Sequence, residues 1–474
     1  MKRLFPMALA ALALTACRAA PEPEPPVLDV PLPVNWTAAS AGGPVSGEPW
    51  WASFDEPALA AAVEEALLHN RDLAAAAERV AAAQAQARIA GADRLPAVDL
   101  SASRERRKQI FVGLPIPGSE VPSSTSTSWL ANVAVSWEAD LWGRFAAGEA
   151  AAEADLRASA SDLEAAQHSI AAQTAKAWFA WREAWLQREL AAETVGTFER
   201  SAALVRDRYE SGVVPGLDVH LAENNLASAR ALLEARREGL LRAERRLEVL
   251  LGRYPEAGLE AGGELPAVPP AVPAGLPGEL LLRRPDLRAR AERIAAGELR
   301  VHVARTALYP SLRLTATAGR TSDEVSDLLD GDFGIWSLLA GLTQNVFDGG
   351  RRRGGVELAD ARVRESLAAW AGAVLLALAE VEIALDSEGL LARQEGFLER
   401  ASVEAAAARA QAEDRYAAGR GDLLTVLESQ RRALTSESER IAARRRRLDA
   451  RADLHLALGG GFAAPPIPSP EDAP

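Results

Sequence analysis

The sequence predicts a mainly α-helical chain built from two tandem copies of one unit. Each copy carries two amphipathic strands, and the four strands per chain close as a twelve-stranded membrane β-barrel only when three chains combine. Three observations lead there. Long stretches of Ala, Glu, Leu and Arg run at helical spacing while aromatics are only 5% of the residues, the composition of long packed helices. "DLAAAAERVAAAQAQARIAGADRLPAVDLSAS" from Asp72 resembles "DLRARAERIAAGELRVHVARTALYPSLRLTAT" from Asp286, 214 positions on. "WLANVAVSWEAD" (129–140) alternates: Trp129, Ala131, Val133, Val135, Trp137 and Ala139 on one face, mostly polar residues on the other, the period-2 mark of a strand with unlike surroundings on its two sides.

The N-terminus comes first along the chain. Lys2 and Arg3 precede an apolar stretch and small residues up to Cys17, the pattern of a secretory signal too short to span a bilayer comfortably. "LTAC" (14–17) resembles the bacterial lipobox, so residues 1–16 read as a lipoprotein signal peptide and Cys17, the one cysteine, as a lipidation site. Residues 17–49, Pro- and Glu-rich at their start, read as a lipidated tether. Acyl chains hold by roughly 0.8 kcal/mol per buried methylene, so firm anchoring calls for more than one chain or a second device.

The first copy occupies 50–264, a Pro-rich linker 265–277, and the second copy 278–460, leaving a flexible tail at 461–474. A second match, "RYESGVVPGLDVHLAENN" from Arg208 with "RYAAGRGDLLTVLESQ" from Arg415, stands 207 positions apart. The first copy is therefore seven residues longer somewhere between the two matches. Within each copy a helix (about 57–93, then 284–307) ends before a Leu-Pro or Tyr-Pro. Strands follow at about 97–106 and 129–140, then 311–320 and 336–347. Val98, Leu100 and Ala102 oppose Asp99, Ser101 and Ser103; Leu312, Leu314 and Ala316 oppose Arg313, Thr315 and Thr317. "DLWGR" and "DGGR" turn the chain into long helices at 144–210 and 351–416. Shorter helices return at 217–250 and 423–457. Sixty-odd residues at about 1.5 Å each make a rod of roughly 100 Å, and apolar repeats with few aromatics suggest coiled-coil pairing of such rods.

Four amphipathic strands of about ten residues in a secreted, lipidated chain have the length and pattern of outer-membrane strands. A sheet in lipid must close on itself. Four strands cannot enclose a pore, whereas twelve from three chains can. Trp129, Val133, Val135 and Trp137 would then meet lipid, and Asn132, Ser136, Glu138 and Asp140 would line water.

With these elements in place, "PAGLPGELLLRRPDLRARAERIAA" (273–296), "VSWEADLWGR" (135–144), "NVFDGGRR" (345–352) and "LLTVLESQRRAL" (423–434) resemble the TolC/OprM outer-membrane efflux family, in its lipidated, NodT-like branch. The resemblance covers the chain from about Trp50 to Gly460. It implies a homotrimer with a twelve-stranded barrel and a periplasmic coiled-coil tunnel, the outer-membrane exit duct of a tripartite efflux or type I-like export system. The duct would work with a periplasmic adaptor protein and an inner-membrane transporter in a Gram-negative envelope. The resemblance also implies a gate at the periplasmic helix turns: Asp218 as an acceptor and Tyr416 as a donor of closing bonds, Leu424 as an apolar ring position and Glu428 as an acidic one. Two departures stand out. A linking arginine is replaced by Gly421, with Arg420 adjacent, and a second acidic ring position is Thr425.

Other classes find little support. A formal net charge of -13 argues against a nucleic-acid partner. "RRRR" at 444–447 reads as a solvated helix face. The five histidines (His69, His168, His220, His302, His455) are scattered without metal-ligand spacing, and no nucleophile elbow or phosphate loop is present. Neither cofactor nor catalysis is expected. The competing reading is a periplasmic coiled-coil scaffold lipoprotein bridging envelope layers, which has no need of amphipathic strands.

Overall fold

The computed structural model describes residues 20–28, 32–38, 49–111, 123–259 and 262–460; Cys17 and the 461–474 tail lie outside the described residues. The chain forms two compact units, Met1–Val27, Ala81–Ala158 and Arg290–Ala369 in one, and Leu28–Val80, Ser159–Ala289 and Trp370–Pro474 in the other. Each unit takes segments from both sequence copies. The copies are therefore halves of a shared architecture rather than separate globules.

The elements are α1 (Pro57–His69), α2 (Arg71–Ala92), β1 (Ala97–Ile110), β2 (Ser123–Ala139), α3 (Arg144–Glu210), α4 (Gly216–Leu250), α5 (Pro285–Thr306), β3 (Ser311–Ser322), β4 (Gly334–Thr343), α6 (Arg351–Ala417) and α7 (Leu423–Ala457). Both long helices have 67 residues and both return helices 35. Arg144 and Arg351 already stand 207 apart. The first copy's seven extra residues therefore lie in its strand hairpin.

In the first unit the four strands form one antiparallel sheet in the order β1-β2-β3-β4. The hairpin of β1 and β2 is longer than the 97–106 and 129–140 expected. Beyond Arg104 and Trp129 both faces of the hairpin are polar, so the alternation that marks a strand disappears while backbone pairing continues to Ile110 and Ser123. Strand β4 corrects the expectation in the opposite direction, ending at Thr343 instead of 347. Its last ladder partner is Ser311, the residue after Pro310, and proline has no N–H to extend the ladder. The strands feed the long helices through acid caps. Asp140 accepts from the Ala146 N–H at 2.8 Å, and Asp348 accepts from Gly350 and Arg352 at 3.0 and 3.3 Å. Gly143, Gly349 and Gly350 take the positive φ that these turns need.

The second unit holds the main core: Trp50, Trp51, Phe54, Leu59, Val63, Trp178, Phe179, Trp181, Leu247, Leu251 and Leu448 among others. The single helix expected over 57–93 is broken at Asn70, which adopts an extended conformation. Its side chain accepts from the Asp72 N–H at 2.9 Å and donates to the Leu250 carbonyl at 2.9 Å, so one residue starts α2 and ties it to the end of α4. The "RRPD" motif also acts here. Arg283 donates to the Leu458 carbonyl at 2.7 Å, and Arg284 grips Asp286 with two nitrogens.

The four arginines at 444–447 do not form a solvated face, contrary to expectation. Arg444 and Arg447 both donate to Glu395 of α6 at 2.8 Å, and Arg445 pairs with Glu183 and Asp449. Helical geometry sends residues three apart to one side, so 444 and 447 share a target while 446 is left exposed. Arg444 and the 2%-exposed Arg451 also donate to the carbonyls of Pro266 and Pro270. Proline offers acceptors without donors and arginine the reverse, which is how a Pro-rich linker is strapped to a helix.

Glu395 is held below the usual carboxylate range: burial pushes it up, but hydrogen bonds from Arg447 and Arg444 outweigh burial. Its contribution is thus present above its unfolded value and lost as pH falls through the lower folded one. Removing one partner from a buried ion pair costs about 3 kcal/mol. Glu395→Ala should therefore lower the urea midpoint markedly at pH 7 and progressively less as the pH is taken down below the ordinary carboxylate range, while Arg446→Ala changes stability by no more than about 0.5 kcal/mol.

Candidate functional site

Two features have the geometry of a site. The first is the sheet. Directly opposed residues of an antiparallel pair share a face, and the registers place Val98, Leu100 and Ala102 of β1 with Ala131, Val133, Val135 and Trp137 of β2. Leu312, Leu314, Ala316 and Ala318 of β3 and Trp336, Leu338, Ala340 and Leu342 of β4 continue the same face. The other face carries Asp99, Ser101, Asn132, Ser136, Glu138, Arg313, Thr315 and Thr317. It is laced by Ser101 with Asn132, by Thr317 with Ser337 at 2.6 Å, and by Glu138 with Arg144 and Arg313. Trp129, Val133, Val135 and Trp137 thus lie on one face, apolar up to the level of Val133 and interrupted beside Ala131 by Arg320, which donates to the Leu328 carbonyl at 2.9 Å. The outer edges of β1 and β4 have no strand neighbour among the described residues.

The second feature is the pair of helix turns in the second unit. Each long helix ends in a left-handed glycine with the same paired hydrogen bonds. Gly212 (φ +72) donates to the Tyr209 carbonyl and Val213 to Arg208; Gly419 (φ +69) donates to Tyr416 and Arg420 to Arg415. These are Schellman endings, where a side chain beyond hydrogen would be strained. The return helices then start differently. Asp422 caps α7 by accepting from both the N–H and the hydroxyl of Thr425 at 2.8 Å. In α4 the cap is Pro215, and the acid stands three residues on, at Asp218. Phe198, Val205, Leu226, Ala412, Tyr416, Leu423 and Val426 lock the four helix ends together.

The predicted gate residues divide between partnered and unpartnered. Thr425 is held by its cap. Glu428 is hydrogen-bonded by Arg432 at 2.9 Å and approached by Arg431 at 3.9 Å, and the Arg432 bond holds its carboxyl below the ordinary range. Leu424 is 64% exposed, as is Leu217 at the same place in the first copy. Arg420 is exposed. Tyr416 is buried, but its hydroxyl has no partner among the described residues, and Asp218 makes no side-chain hydrogen bond among them. One chain does not bring these two together.

Sequence reasoning missed Arg208. Its guanidinium lies 4.4 Å from the centre of the Tyr416 ring and donates to the carbonyls of Tyr416 and Ala417 at 3.0 Å. It ties the end of one long helix to the end of the other. The "RY" pair, repeated at 208–209 and 415–416, was the available signal.

A family model described as outer membrane efflux protein matches residues 62–253 and 276–460, leaving between them most of the linker and the residues just before it. The chain is 33% identical to outer membrane protein OprJ of Pseudomonas aeruginosa, across 96% of this chain and 95% of that one. It is 33% identical to the pyoverdine export outer membrane protein OpmQ of Pseudomonas putida, across 97% of both. Among solved structures it resembles the outer-membrane channel OprN, with a TM-score of 0.80, 31% identity and coverage of 91% of this chain and 98% of that one. The open state of the Neisseria gonorrhoeae MtrE outer membrane channel matches with a TM-score of 0.81 and 26% identity over 94% and 98%.

Arg208→Gln should loosen the turns without unfolding the chain. Losing two charge-assisted bonds and a ring contact at a partly exposed site costs about 2 kcal/mol. Hydrogen exchange should accelerate at the amides of 416–420, with no change in the strands.

Proposed function

The chain belongs to the outer membrane efflux protein family, and on that premise we propose that it is the exit duct of a tripartite pump, a homotrimer that carries small molecules from a periplasmic adaptor and an inner-membrane transporter to the exterior. Outer-membrane location and efflux transport come with the family. The observation that carries the finer reading is the open sheet. A four-stranded sheet with an apolar face and two unpaired edges cannot rest in lipid, but the edges of β1 and β4 complete one another when three chains close twelve strands. Trp129, Val133, Val135 and Trp137 then face lipid and the Glu138–Arg313 side faces water.

The helices support the trimer independently. Leu376, Ile383, Leu390 and Phe397 are exposed on α6 at seven-residue intervals, the repeat of a coiled-coil seam. Part of α6 is apolar enough by composition to cross a membrane. A seam to the next subunit accounts for that without a spanning helix. In this reading Cys17 is lipidated and adds to the anchoring by the barrel.

Relatives are named for export of pyoverdine and efflux of toluene, so a wide cargo range suits the family, and the duct itself performs no catalytic step. The turns act as its periplasmic gate. The Tyr416 hydroxyl is enclosed within its own chain, so in this gate the side chain swings outward to donate to Asp218 of a neighbouring subunit. A hydroxyl–carboxylate bond is worth about 1.5–3 kcal/mol, and three of them shift a closed–open equilibrium by several orders of magnitude. Adaptor binding opens the gate by favouring the splayed turns.

Conductance of the purified trimer in planar bilayers tests the duct against the scaffold reading, which predicts none. Val135→Arg should cost about 2–4 kcal/mol against lipid and abolish heat-resistant trimer, whereas Ser136→Arg spares it; equal yields overturn the assignment of faces. Tyr416→Phe combined with Asp218→Ala should raise basal conductance with the trimer intact. Conductance at the wild-type closed level would move the gate to the exposed Leu424 ring.

A further inference from the structure

Along β1 the apolar face does not end in neutral residues. After Val98, Leu100 and Ala102 the same face continues with Arg104, Arg106 and Lys108, opposite Trp129, Thr127 and Thr125 of β2. None of the three cations has an ion pair or hydrogen bond among the described residues. The contrast within the strand is sharp. Arg107, on the polar face, pairs with Glu105 at 3.1 Å, while the guanidinium of Arg104 lies 5.2 Å from the centre of the Trp129 ring. Height places these cations. From Ala139 to Trp129 is about ten steps of 3.4 Å, which at a tilt of about 40° spans roughly 25 Å, the height of a barrel's lipid band. Trp129 stands at the distal edge, where aromatic girdles sit. Arg106 rises about 5 Å above it, within a headgroup layer, and Lys108 about 10 Å, at the outer margin, from which its long side chain reaches back to the headgroups. A cation at that depth on the lipid side, without an acid of its own, is complementary to a phosphate.

We propose that Arg104, Arg106 and Lys108 form a site on the outer wall of the barrel for phosphate-bearing lipid headgroups of the distal leaflet. This rests on the duct reading, because it needs the strands to span the membrane. Each headgroup phosphate accepts from cations about 7 Å apart along the strand edge, and the flat Arg104–Trp129 pair bridges acyl and headgroup regions. The chief rival partner is the acidic loop of a neighbouring subunit, which carries Asp323, Glu324, Asp327, Asp330 and Asp332.

Native mass spectrometry of the full-length trimer, titrated with diphosphorylated lipid A and with its dephosphorylated counterpart, separates these. The wild type should retain the diphosphorylated lipid. The triple variant Arg104→Gln, Arg106→Gln, Lys108→Gln should bind at least tenfold more weakly, and Arg107→Gln within twofold of wild type. Equal binding by wild type and triple variant overturns the proposal, as does equal retention of the dephosphorylated lipid or an equal loss in Arg107→Gln. Full competition by millimolar inorganic phosphate overturns it in favour of a free-anion site, and dissociation of the triple variant into monomers without lipid in favour of the neighbour's acidic loop. Bilayer conductance keeps the two readings apart: a conducting trimer without lipid preference fails only this proposal, whereas a wild type without conductance fails the duct.

Discussion

A backbone N–H or C=O facing hydrocarbon without a partner costs several kcal/mol, and the sheet of this chain has two edges of them. Everything about the strand unit answers that constraint. The strands are few because closure is shared among chains. In the proposed barrel the face that carries Leu100, Val133, Leu314 and Leu338 meets lipid, and the polar face, which carries its own ion pairs, borders water. The same constraint makes the monomer an incomplete object. Its unpaired edges and the exposed apolar seam along α6 are two demands that one assembly meets.

Duplication gives the chain a second economy. Two copies supply two long helices of equal length and two turns with the same glycine ending, yet the turns have diverged in the details that matter for a gate. Tyr209 is 50% exposed while Tyr416, at the matching place, is 6% exposed. Arg208 reaches across to the second copy. The acid that starts the return helix sits at the cap in one copy and three residues in at the other, so Asp422 is consumed locally by Thr425 while Asp218 stays available. A residue whose hydrogen bonds are satisfied within its own turn has little left to offer a neighbour, which is why the divergent copy-one acid is the better candidate for a closing bond.

Much of this was legible in the sequence because it depends on periodicity. Alternation at 129–140 exposed the faces of the sheet, and the offset between copies exposed the repeated order of elements. The failures share a cause. Beyond Arg104 the first hairpin is polar on both faces and leaves no alternation to read, though its ladder goes on. Asn70 breaks a helix through a tertiary bond to Leu250, 180 residues away. The arginines at 444–447 look solvated until Glu395 is brought against them by α6. Arg208 was missed because its partners are backbone carbonyls, which every residue possesses and no motif advertises. Local pattern is written in spacing; partners far along the chain are not.

The charge at the turns shows how such pairing alters a functional expectation. Read alone, Glu428 repeated around a threefold axis is an acidic ring that repels itself and draws cations. In the structure it is flanked on its own helix by Arg431 and Arg432, the latter hydrogen-bonded to it, so each chain brings two positive charges with its one negative charge. At that exposure the pair adds little to stability, but it sets the sign of the local field. Cation preference at this level then requires Arg432 to turn away as the turns splay. What remains constant is apolar: Leu217 and Leu424 project at equivalent places from the two copies, giving six exposed leucines per trimer. In the proposed gate a constriction lined chiefly by these leucines would discriminate by wetting and width more than by charge, and the choice of cargo would fall to the transporter upstream.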